Sequence, residues 1–82
     1  MYRTIPDFSG RTFEHVAEAR RMAIRYLHDR DPKGTVIIKE RRRGVEGKVM
    51  RTRDIDTNKP VYVYRTIAGI DHVLNADGSF KR

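Results

Sequence analysis

The sequence predicts an α+β fold, β-α-β-β-β(-β-β), with one amphipathic helix packed on one face of an antiparallel meander sheet. Three observations predict it. Apolar residues recur at helical spacing once, between Thr12 and Asp31; from Thr35 onward the period is two; and the later segments are joined by short turn-rich connections, which favour sequential antiparallel neighbours. With 82 residues the chain, 1–82, reads as a single small domain. Leu, Ile, Val and Phe number only 19, so its core is lean.

The segment "MYRTI" suits a short first strand ended by Pro6, and "PDFSG" is turn chemistry. Thr12 is a suitable N-cap for the helix that follows, with Glu14 placed where it favours the helix dipole, and Asp31-Pro32 stops it. At 100° per residue, Val16, Ala19, Ala23, Tyr26 and Leu27 share one face, flanked by Phe13 and Ile24. The opposite face carries Glu14, Glu18, Arg21, Arg25 and Asp29, with Glu18–Arg21 and Arg25–Asp29 spaced to pair. Arg20 lies close to the apolar stripe, where its stem can cover the core margin.

The next strand, "TVIIKERRR", is β-branched at its start and basic at its end. "GVEG" reads as a turn and "KVMRTR" as the returning strand. After the loop "DIDTNKP", "VYVYRTIAG" is the strongest strand signal, and "IDHVLNADGSFKR" reads as a short hairpin turning at Asn75–Gly78.

Charge is unevenly distributed. The net charge is +7, and residues 36–53 alone carry seven bases against two acids. Clustered charge of this kind attracts polyanions more strongly than the same charge dispersed. The excess belongs to a basic hairpin, 39–53. With its turn centred on Val45-Glu46, Arg43 faces Lys48, Arg41 faces Met50 and Lys39 faces Thr52, all on the face that also holds Ile37. The other face holds Val36, Ile38, Glu40, Arg42, Val49, Arg51 and Arg53, with Glu40 opposite Arg51, and its apolar members direct it toward the helix. With Val61 and Val63 inward, Tyr62 and Tyr64 join the basic face; a one-residue slip in the preceding loop moves them to the other side.

Several chemistries lack their residues. There is no cysteine, hence no disulfide or thiolate site. His15 and His28 point apart on the helix, His72 and Asp71 alternate on a strand, and no phosphate-loop glycine pattern occurs. Ser9 and Ser79 sit in turns without a base nearby. The run Asp54-Ile-Asp lacks the glycine and terminal Glu of a calcium loop. "KPVYVYRT" lacks the glycine of the RNA-recognition consensus. No signal-peptide core or membrane-length apolar run is visible, which suggests a cytoplasmic protein with no membrane partner.

The expectation is therefore a non-enzymatic module without cofactor or metal that binds DNA or RNA. Lys39, Arg41, Arg43 and Lys48 would contact phosphates, Arg42, Arg51 and Arg53 would be secondary cations, and Tyr62 and Tyr64 would stack on bases if exposed. The same charges would also suit an adaptor or inhibitor that binds an acidic protein, and an uncovered sheet face would suit a second copy of the chain.

Overall fold

The computed structural model describes all residues, 1–82. Its elements are β1 (Tyr2–Ile5), α1 (Val16–Asp29), β2 (Thr35–Glu40), β3 (Gly44–Arg53), β4 (Pro60–Thr66) and β5 (Asp71–Val73). The five strands form one antiparallel sheet in chain order, β1-β2-β3-β4-β5. The expected α+β meander with one helix on the sheet is what the chain adopts.

One sheet face is covered by two different pieces of chain. Helix α1 lies across β1, β2 and β3 and buries Ala19, Ala23, Ile24 and Leu27. They pack with Phe13, Val36, Ile38 and Val49 in one core cluster. Alanine at two successive turns of the inner stripe leaves room for the helix to lie close to the β-branched strand residues, and burial of each larger aliphatic contributes about 1.5–3 kcal/mol. Beyond β3 the cover passes to the C-terminal segment. It turns back at Asn75–Gly78, bridges Leu74 to Phe80, and returns Lys81 N–H to Val73 O at 2.8 Å. The expected terminal hairpin is present in this form.

The helix starts later than its sequence suggests. Phe13 is extended and exchanges two backbone hydrogen bonds with Tyr2, at 2.7 and 2.8 Å. This bridge takes Phe13 into the core as an edge residue and moves the first turn to Val16, after His15, which makes no side-chain cap. Thr12 is therefore not the N-cap, and Glu18 rather than Glu14 occupies the first turn. The surface pairs shift too: Glu18 meets Arg11 at 3.3 Å instead of Arg21, and Asp29 meets His28 at 2.8 Å instead of Arg25.

The β2–β3 turn also differs from expectation. It comprises Arg41–Arg43, and "GVEG" belongs to β3. Lys48 faces Ile37 rather than Arg43, and Met50 faces Thr35 rather than Arg41. The slip is even, six positions at Lys48, so every strand residue keeps its expected face although its partner changes. Glu40 faces Gly44, not Arg51, and Arg51 faces Tyr62. A register shift between Ile38 and Lys39 adds a bulge beside the turn.

Candidate nucleic-acid interface

The turn that joins β2 to β3 is built by one carboxylate. Glu40 Oε2 accepts the backbone N–H of Arg42 at 2.7 Å and of Arg43 at 2.8 Å. These two amides hold the Glu40 carboxyl below the usual carboxylate range. Its other oxygen lies 3.6 Å from the Met1 ammonium. The positive φ of Gly44, 83°, completes the turn at no side-chain cost. With Glu40 engaged by the backbone, the arginine side chains are left to solvent. Arg41 and Arg42 have no carboxylate within ion-pair distance. Arg43 reaches Glu46 only at 4.0 Å and its side chain is 80% exposed.

Beside this tip, the uncovered face adds two more cations. Lys39 lies directly across from Arg3 of β1, and neither has an acidic partner. Like charges directly opposite on antiparallel strands are destabilising by a few tenths to about 1 kcal/mol. Arg3 escapes sequence reasoning because nothing local shows that "MYRTI" pairs with the basic end of β2. Its signal is its parity within the strand, readable once β1 is known to lie antiparallel to β2.

Lys48 lies farther down the same face, in a row with Ile5, Ile37, Arg65 and Asp71. Arg65 grips Asp71 with two hydrogen bonds, at 2.7 and 3.0 Å, which push the guanidinium up and the carboxyl down. Lys48 adds to the pull on Asp71, so its own field is partly balanced.

The remaining predicted residues do not join this site. Arg51 and Arg53 stand on the helix side of β3, at the end away from the turn. The ten residues of β3 put roughly 30 Å between its ends. Arg53 donates to Asn58 O at 3.0 Å, within its own loop.

Tyr62 and Tyr64 face inward, opposite to the expected side. Tyr64 is only 4% exposed, and burial pushes its phenol up. Tyr62 packs half-buried against the core. The reason is space: α1 stops short of β4, and large rings fill the gap beneath the returning tail. Gly47 makes room for Tyr64, since a Cβ there would sit 2.5 Å from the ring. Arg20 completes this region. It is 8% exposed, donates Nε–H to Gly78 O at 2.7 Å, and lies over the rings of Phe80 and Tyr64 at 4.4 and 5.2 Å. Desolvation lowers its pKa, and no carboxylate compensates. Arg20 thus clamps the tail to the helix and does more than cover the core margin.

The predicted cations therefore resolve into one concentrated group, Lys39, Arg41, Arg42 and Arg43, joined by Arg3, with Lys48 at its border. Compared with protein-family models, curated proteins and solved structures, the chain matches none.

Proposed function

We propose that this protein binds nucleic acid through the basic end of its sheet, with Arg3, Lys39, Arg41, Arg42 and Arg43 as phosphate contacts and Lys48 beside them. The observation that carries the reading is the engagement of Glu40 by the turn's own amides, which leaves Arg41 and Arg42 without a carboxylate partner and Arg43 with only the Glu46 contact at 4.0 Å. Phosphate binding by such a group gains from release of counterions. Arg51 and Arg53 act as a remote second patch. Tyr62 and Tyr64 have no stacking role, because their rings are occupied inside. The reading invokes no cofactor and no catalysis.

The test is a titration against DNA and RNA at several salt concentrations. Five phosphate contacts on duplex DNA give a log–log slope near −4 to −5, at about 0.9 per contact. Absence of binding at low salt overturns the reading.

A second reading is self-association through the uncovered face. It is favoured by the cross-strand row Met50, Val63 and Val73, with Val61 nearby, which lies on the face opposite the helix; Val63 is buried at 5% exposure and the other three are half-buried. Sedimentation across a range of concentrations separates a monomer from a dimer, and the substitution Met50→Lys would dissolve such a dimer.

A further inference from the structure

The β4–β5 turn leaves the sheet at the same end as the Arg41–Arg43 turn, since alternate connections of a meander fall on the same side. It carries two isoleucines in open solvent, Ile67 at 72% and Ile70 at 57% exposure. Neither is needed to shape the turn. Its backbone closes itself, with Gly69 N–H on Thr66 O and Thr66 N–H on Ile70 O, both at 2.9 Å, and Thr66 Oγ1 accepts Ile70 N–H at 3.2 Å. Gly69 supplies the positive φ of 84°. On β3, Val45 is a third exposed aliphatic, and it lines one hollow together with Ile67. Lys48 and Arg65 border this hollow. Ile55, at the opposite end, is also fully exposed, but it stands alone between Asp54 and Asp56.

We infer that the partner is double-helical DNA and that Ile67 and Ile70 enter a groove and wedge a base step while the neighbouring arginines hold the phosphates. This inference rests on the nucleic-acid reading above and specifies its partner. Two features select a duplex over a single strand. Single strands are held by stacking on exposed rings, and the rings near this end are already engaged: Tyr64 is buried, Tyr2 packs against the core, and Phe80, 39% exposed, is stacked on His72 at 4.3 Å with Arg20 4.4 Å from its centroid. Aliphatic side chains flanked by cations are instead the means by which groove binders unstack a step and kink the duplex, by about 20–90°. The pairing of a projecting aliphatic turn with a cationic turn two strand spacings away, roughly 10 Å, fits adjacent positions along one duplex.

The experiment uses the whole chain with a duplex of about 25 base pairs, labelled at its two ends with a donor and an acceptor dye, and with the same sequence as a single strand. Vesicles containing anionic lipid serve as a third probe. The wild-type chain is expected to bind the duplex at least about tenfold more tightly than the single strand and to raise energy transfer between the ends. The double variant Ile67→Ala/Ile70→Ala, altered only at exposed positions, is expected to keep its thermal transition and its salt slope. It should lose the rise in energy transfer and about tenfold in affinity. A bound duplex that stays straight, equal bending by the variant, or tighter binding to the single strand overturns the wedge and leaves phosphate binding intact. A variant whose only loss is binding to vesicles likewise overturns the wedge alone, whereas failure of the wild-type chain to bind any nucleic acid overturns both.

Discussion

Two turns of this sheet are made in the same way and end with opposite character. In the β2–β3 turn, Glu40 accepts the amides two and three residues ahead, those of Arg42 and Arg43. In the β3–β4 loop, Asp54 does the same for Asp56 at 2.8 Å and Thr57 at 3.2 Å. The residues that follow the acid are Arg-Arg-Arg in one case and Ile-Asp-Thr in the other. The backbone device needs only the leading carboxylate. Three arginines are thus not a requirement of the turn, and a chain selected for stability alone would not gather them beside Arg3 and Lys39. The second loop shows the ordinary outcome, in which two acids, Asp54 and Asp56, lie between the bases Arg53 and Lys59.

The largest expected effect comes from exchanging the two sequences. Arg41→Ile/Arg42→Asp/Arg43→Thr, measured by salt titration on duplex DNA, should lower affinity about 100-fold and make the salt slope shallower by about 3. Its thermal transition should move little, because exposed substitutions are usually within about 0.5 kcal/mol each. Adding Ile55→Arg/Asp56→Arg/Thr57→Arg to that variant should not restore binding, since Arg3 and Lys39 remain at the other end. Full recovery would mean that net charge alone matters and that the comparison has no functional content.

The next effect concerns how the basic tip is joined to the sheet. Gly47→Ala should destabilise the fold by about 1–3 kcal/mol in denaturant titration, because Tyr64 or the β3 backbone has to move. Loss of binding in this variant should follow loss of structure and not precede it. A wild-type stability would show that the ring can be repositioned freely.

The smallest effect is a dependence on pH. The carboxyls of Glu40, Asp71 and Asp77 are all held below their ordinary values by hydrogen bonds from the folded chain. A depressed folded pKa contributes stability that is complete above the unfolded value, about 4, and is lost as pH falls through the folded value. The melting temperature should therefore be level above about pH 5 and fall below about pH 4. Glu40→Gln should melt earlier at neutral pH and show a weaker fall in acid. An unchanged acid profile would remove Glu40 from its assigned part in the turn.

The order of elements and the buried stripe of the helix were legible because each rests on a local period. The faces of β2 and β3 were legible for a less obvious reason. The turn lies at Arg41–Arg43 and not at Val45-Glu46, but the six-position offset preserves parity, so Ile37, Lys39 and Lys48 face outward while Val36, Ile38 and Val49 face inward, as the alternation predicts. The tyrosines were not legible from alternation. In "VYVYRT" both sets are apolar, and the choice depends on what covers β4, which is the tail and not the helix. One clue was present, since Gly47 had no need to be a turn residue and instead yields space to Tyr64. Arg3 and the exposed isoleucines are not legible in the sequence because their meaning comes from tertiary neighbours. The helix start is not legible because Phe13, which periodicity places on the helix, is held in an edge bridge by Tyr2.

The inward tyrosines have a practical consequence for spectroscopy. With four tyrosines and no tryptophan, the intrinsic emission of this protein comes from phenol rings alone, and two of the four lie beneath the tail and helix. The buried pair should respond when the tail detaches or the sheet melts, whereas Tyr2, opposite Glu40 and lining a hollow with Arg3 and Arg41, is the ring beside the arginine tip. The substitution Tyr2→Phe therefore leaves emission that reports the fold, and the difference from the wild-type chain reports occupancy of the tip.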